Sequence, residues 1–150
     1  GDLVFRNNLE YGQAVGQNER GVPPSDRYYL GGPNNLRGYQ FFRVGPYREK
    51  TTGTITERIP LGGRYQFIGM FEIEQPIARE AGLKFVAFYD VGNVWEQLPQ
   101  FSDLKLRQDF GFGFRWFSPI GPLRFEWGFP ISPRPGDDNS VFQFFIGPPF

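Results

Sequence analysis

The stretch RQDFGFGFRWF, Arg107 to Phe117, puts Phe110, Phe112, Phe114 and Trp116 on one parity and Asp109, Gly111, Gly113 and Arg115 on the other. A two-residue period is that of an extended strand, whose successive side chains leave the pleat on opposite faces. One face of this strand is a row of rings; the other is polar or bare. LRFEWGF, Leu123 to Phe129, repeats the arrangement with Leu123, Phe125, Trp127 and Phe129 against Arg124, Glu126 and Gly128. VFQFFIG, Val141 to Gly147, repeats it through Phe142, Phe144 and Ile146, with Phe145 interrupting the polar side.

Upstream the same period recurs. RYQFIGMFEIEQ, Arg64 to Gln75, sets Tyr65, Phe67, Phe71 and Ile73 against Arg64, Gln66, Glu72 and Glu74; KFVAFYDVGNVW, Lys84 to Trp95, sets Phe85, Ala87, Tyr89 and Val91 against Lys84, Asp90 and Gly92. The opening DLVFRNNLEY reads likewise, giving six strands. Composition agrees: 18 Phe, seven Tyr and three Trp stand beside 20 Gly and 14 Pro, a mixture of rings and turn formers that suits an all-β protein.

A soluble sandwich shows the same alternation in any one strand. The connections separate the two readings, because segments 13–63, 76–83, 96–106, 118–122 and 132–140 run long, short, medium, short, medium. Tight turns at one end and longer loops at the other are expected of an outer-membrane barrel, with the polar parity facing a wet lumen and the rings facing lipid. Gly111 and Gly113 then leave a bare patch on the inner wall against which a further segment fits.

Several functions are excluded early. Sixteen basic side chains balance 16 acidic ones, so no excess positive charge marks a nucleic-acid partner. Cysteine and histidine are absent, which removes disulfides, thiol nucleophiles, the usual zinc sites and serine–histidine catalysis. No metal, cofactor or enzymatic activity is expected. Glu72 and Glu74 share one strand face and so raise a glycosidase dyad, but two acids projecting side by side do not straddle a substrate cleft. No run of about 18 apolar residues makes a membrane helix. The chain starts at Gly1 without a methionine, which suggests a piece of a longer polypeptide. RNN, DDNS and REKTTGT read as solvated loop or wall residues without chemistry.

One stretch resists these descriptions. YYLGGPNNLRGYQFF, Tyr28 to Phe42, is too glycine-rich for a helix and too aromatic for a casual loop, with a single arginine, Arg37, at its centre. Both Glu72 and Asp90 fall on the inner parity.

LGGPNNLRGYQ, FYDVGNVW and FRWFSPIGPLRFEWGFPI, followed in that order by FQFFIG and a terminal Phe150, resemble the carboxy-terminal half of the BamA-type outer-membrane assembly barrels (bacterial surface antigen family) over nearly the whole chain. The resemblance implies an antiparallel transmembrane β-barrel, present here as a carboxy-terminal fragment of about six strands, with periplasmic repeats and amino-terminal strands lying outside this chain. It implies that segment 22–43, starting at Val22, is an extracellular loop folded back into the lumen. Its pin is Arg37, with Gly38 and Tyr39, held by Glu72 and Asp90; Gly31 and Gly32 let the loop turn. The terminal seam strand carries Phe142, Phe144, Ile146 and Phe150, and Pro148 and Pro149 stop its pairing near Gly147.

The implied function is folding and insertion of other β-barrel proteins into the bacterial outer membrane, without cofactor. Implied partners are outer-membrane lipid, client β-barrel proteins and accessory assembly lipoproteins reached through the periplasmic domains. The isolated fragment is expected to self-associate edge to edge. A two-partner secretion translocator and, more distantly, a passive pore or structural barrel remain as alternatives.

Overall fold

The computed structural model describes residues 3–15, 23, 26–32, 35–100, 102, 104–135 and 137–146. Val22, Gly147, Pro148, Pro149 and Phe150, which the sequence reading assigned to the inward loop and the seam, lie outside the described residues. Among the described residues eight strands form: β1 (Val4–Gln13), β2 (Tyr47–Thr52), β3 (Ile55–Pro60), β4 (Tyr65–Ala78), β5 (Leu83–Trp95), β6 (Arg107–Ser118), β7 (Gly121–Ile131) and β8 (Val141–Ile146). Six of them make one sheet in the order β1-β4-β5-β6-β7-β8, antiparallel throughout. Among the described residues the sheet is open, with β1 and β8 each bonded on one side.

Alternation fixes the faces. Phe110 and Phe142 are 50% and 53% exposed, whereas Arg115 and Glu126 on the opposite parity are 6% and 2% exposed. Charged residues are thus the covered ones, the inverse of a soluble sheet and the pattern of a barrel wall with lipid outside. On the outer face rings pair across strands: Phe112 lies opposite Trp127 with ring centroids 5.3 Å apart, and Trp127 opposite Phe142 at 4.9 Å. Such cross-strand aromatic pairs hold register as well as area.

Short turns gather at one end. Residues 79–82 join β4 to β5, and residues 119–120 join β6 to β7. The Ser118 hydroxyl donates to the Gly121 carbonyl at 2.6 Å and accepts the Ile120 N–H at 3.2 Å, closing the second turn. The opposite end carries residues 14–64, 96–106 and 132–140.

Within the first of these, REKTTGT, read as solvated loop or wall residues, is exposed but not loop: it supplies most of β2 and the turn of a hairpin in which β2 pairs with β3 from Tyr47↔Pro60 to Thr52↔Ile55. Gly53, at φ +64°, supplies its turn. Both faces of the hairpin are polar, with Glu49 opposite Arg58 and Lys50 opposite Glu57, so no apolar alternation marks it.

Candidate functional site

The loop between β1 and β4 enters and leaves the inner face through two bridges, Tyr28 with Gly63 and Leu30 with Val44. Between them the chain reverses sharply. Gly31 and Gly32 sit at φ +113° and +117°, where a side chain is strained, and the Gly31 N–H is capped by the Asn35 side chain at 2.8 Å. The Leu36 carbonyl then accepts the Tyr39 N–H at 3.2 Å, placing Arg37 and Gly38 at the tip of a tight turn.

Arg37 is 1% exposed. Its Nε donates to Asp90 Oδ2 at 2.9 Å, one terminal nitrogen donates to Asp90 Oδ1 at 2.6 Å, and the other donates to Glu72 Oε1. The Arg37 backbone N–H adds a bond to Asp90 Oδ2 at 3.0 Å. The guanidinium also lies over the ring of Phe88, 3.9 Å from its centroid. Phe88 is on the inner parity of β5, between Val86 and Asp90, and sits opposite Glu72 in the β4–β5 register. Burial alone disfavours the arginine's charge, but the hydrogen bond and charge of Asp90, then the charges of Glu72 and Glu126, reverse that and raise its pKa above the ordinary value. The guanidinium therefore stays cationic in its socket.

The socket extends into a charge network. Arg115 of β6 donates to Glu72 Oε1 at 2.8 Å and to Glu74 Oε2 at 3.1 Å. Glu74 also meets Arg6 of β1 and Lys84 of β5, the latter at 3.1 Å. Arg124 donates to Glu126 at 2.9 Å. Charges in such a covered setting are tolerable because each is paired; removing one partner leaves another uncompensated.

Apolar contacts hold the same loop. Leu30, Leu36, Tyr39 and Val44 form a buried cluster with Ile68 of β4 and Val94 of β5. Each buried side chain of this size contributes roughly 1.5–3 kcal/mol, so docking rests on this cluster as well as on the pin. The Tyr39 hydroxyl donates to the Gln108 carbonyl at 2.9 Å, and Arg107 lies 4.8 Å over its ring. Burial raises the tyrosine's pKa, keeping it a neutral donor.

The structure brings Arg37, Gly38, Tyr39, Glu72, Asp90, Gly31 and Gly32 together. Phe142, Phe144 and Ile146 stand apart on the outer face of β8, all exposed. The bare patch is filled differently from the expectation. The ring of Phe88 occupies the space beside Gly111, while the loop tip lies on Gly128, where a Cβ would come within 2.8 Å of the Arg37 carbonyl carbon and of Gly38 Cα.

Three participants were missed. Phe88 was passed over as an apolar residue on a polar parity. Asp109 is the register partner of Asp90, fully buried, and packs under Gly38 closely enough that any side chain there collides with it. Asp137 departs from the reading of DDNS as solvated loop or wall residues: its side chain is 2% exposed and pairs with Arg107, while Asp138, Asn139 and Ser140 are exposed. Only the alternation of Arg107 with Asp109 and Gly111 on the inner parity pointed toward that pair.

A wall of antiparallel strands, ringed outside and charged inside, with a loop pinned against its inner face, defines a transmembrane β-barrel protein of the outer-membrane kind. The chain belongs to the Omp85 superfamily, whose domain matches residues 2–150, and within it is of the BamA type. It is 36% identical over 140 residues to an outer membrane protein assembly factor BamA of Nitratidesulfovibrio vulgaris, covering 91% of this chain and 17% of that protein. It is 26% identical over 157 aligned positions to BamA of Neisseria meningitidis serogroup B, covering 86% of this chain and 19% of that protein. The crystal structure of BamA from Haemophilus ducreyi lacking POTRA domains 1-3 shares the fold, with a TM-score of 0.66 at 24% identity over 95% of this chain and 34% of that one. The chain thus spans under a fifth of the length of both sequence relatives. Its location is the bacterial outer membrane.

Proposed function

We propose that this chain is the carboxy-terminal portion of an outer-membrane barrel that folds and inserts other β-barrel proteins into the outer membrane. The observation that carries the reading is the similarity along 91% of the chain to a protein named as an assembly factor. The docked loop supports it. A passive pore needs an open lumen, whereas here the inner face is occupied by loop residues held by Arg37.

The edge at β8, bonded among the described residues by β7 alone, suggests the mode of action. Unpaired backbone groups at a sheet edge recruit another strand, and lipid cannot satisfy them. A client β-barrel protein pairs through such an edge when the full barrel opens there, while lipid covers the ring-bearing face. Accessory assembly lipoproteins dock on the periplasmic domains of the longer protein. By the same physics the isolated chain self-associates through its edges. The reading assigns no covalent step and no cofactor.

The test is reconstitution of the full-length protein in liposomes and measurement of how fast an unfolded client barrel acquires its heat-resistant folded form. The wild-type protein is expected to accelerate that step, and Arg37→Ala to weaken the acceleration. Export of one soluble partner without accelerated insertion identifies a secretion translocator instead. Ion conductance with neither activity identifies a pore.

A further inference from the structure

The loop tip rests at the start of the edge strand. Gly128, the β7 residue on which Arg37 and Gly38 lie, is the register partner of Val141, the first residue of β8, and Val141 is buried. The connection leading into β8 is tied back toward the same tip. Asp137 pairs with Arg107, whose guanidinium stacks on Tyr39. Gln40, next to Tyr39, donates to Asp138 at 2.8 Å. Farther out, Arg58 of the hairpin donates to the Pro135 carbonyl at 2.7 Å. Asp137 also accepts the Arg134 N–H at 2.9 Å, which bends the connection inward so that its carboxylate is buried.

β8 needs such support. Among the described residues it pairs with β7 from Val141 to Ile146. Nothing among the described residues bonds its other side. A strand at the edge of a sheet opens more readily than a central one unless its ends are held.

We propose that the docked loop tip is a clasp on the edge strand: Asp137 and Asp138, gripped by Arg107 and Gln40 around Tyr39, are positioning residues that fix where β8 begins, so that seating Arg37 in its socket and closing the β7–β8 pairing are one linked event. The inference rests on the docked-loop reading and deepens it by naming what docking controls. Two arrangements follow, loop seated with β8 closed and loop lifted with β8 frayed. The physical link is a continuous run of contacts from Asp90 through Arg37, the Tyr39 turn and Arg107 to Asp137, and not proximity alone.

Hydrogen exchange followed by mass spectrometry on the full-length protein in lipid nanodiscs reads both ends at once. The Arg37 and Tyr39 amides, bonded to Asp90 and Leu36, report docking; the β8 amides report the edge. Asp137→Asn is expected to leave the tip amides protected while exchange of the β8 amides bonded to β7 rises about ten-fold, the loss of one charge-assisted bond. Gln40→Ala, which alters only an exposed side chain, is expected to shift β8 in the same direction by less. Arg37→Ala is expected to raise exchange at both ends. A protected tip with β8 unchanged in Asp137→Asn and Gln40→Ala overturns the clasp and leaves docking standing. An unprotected tip in the wild-type protein overturns the docked-loop reading and the clasp with it.

Discussion

Arg37 gives Asp90 three N–H groups, two from its guanidinium at 2.9 and 2.6 Å and one from its own backbone at 3.0 Å, so a single carboxylate fixes both the side chain and the turn that carries it. Glu72 receives one nitrogen from Arg37 and is shared with Arg115. The two acids flanking the pin are therefore unequal.

Asp90→Asn is expected to undock the loop far more than Glu72→Gln. The first change removes the charge and one of the two oxygens that share the bidentate bond and the backbone N–H, and turns an amide donor toward the guanidinium; the second leaves Asp90 intact. Losing one side of a buried pair costs about 3–5 kcal/mol, as an upper bound for a wet lumen. Protection of the Arg37 and Tyr39 amides measures it, and equal loss in both variants would contradict the ranking.

Arg37→Lys is expected to restore only part of the docking lost in Arg37→Ala. An ammonium keeps the charge but cannot span both oxygens of Asp90 while reaching Glu72, and it stacks less well on Phe88. The backbone bond to Asp90 survives in both variants, as does the apolar cluster. Exchange at the Tyr39 amide should therefore rank wild type, lysine, alanine. Lysine matching wild type would reduce the pin to a point charge.

Gly128→Ala is expected to lift the loop tip while the strands stay paired. The added methyl meets the backbone of Arg37 and Gly38, which cannot swing away as a side chain does. Antibody or protease access to the loop should increase, with heat-resistant folding of the barrel retained. A structure of the variant with the tip unmoved would refute it.

Much of this was legible in the sequence for a physical reason. A barrel wall separates lipid from water at every second residue, so the rings of Phe110 to Trp116 announce both strand and face, and Glu72, Asp90 and Arg115 inherit their direction from them. Arg37 was placed against Glu72 and Asp90 by the resemblance to the assembly barrels, with which the inner parity of both acids agreed. Phe88 was not legible, since a period-two reading treats an apolar residue on the polar side as noise, whereas here it is the floor under a cation. The β2–β3 hairpin escaped because charges line both of its faces. Asp137 escaped because its partner, Arg107, lies across the fold and leaves no local trace.

Phe112→Arg is expected to destabilise the wall by about 2–4 kcal/mol if position 112 lies near the bilayer midplane. Phe112 sits midway along β6, stacked on Trp127 of the outer face. A spin label at 112 should respond to a lipid-soluble quencher more than one at 115, and the reverse would invert every face assigned here.

Asp109→Asn is expected to strengthen loop docking, by about 1 kcal/mol. Asp109 and Asp90 face each other across the β5–β6 register, both fully buried, and Arg37 spends its donors on Asp90 and Glu72. Two carboxyl groups so placed repel when both are charged. An asparagine keeps the size that fits beneath Gly38, removes the repulsion, and offers Asp90 an amide donor. The gain should appear as slower exchange of the Arg37 amide and a higher denaturant midpoint for loop release, with the strands unaffected. Asp109→Leu separates the two contributions, because it abolishes the repulsion without supplying a donor. Should Asp109→Asn instead expose the loop, the Asp109 carboxylate itself would be holding Gly38 down, and the second acid would belong to the pin.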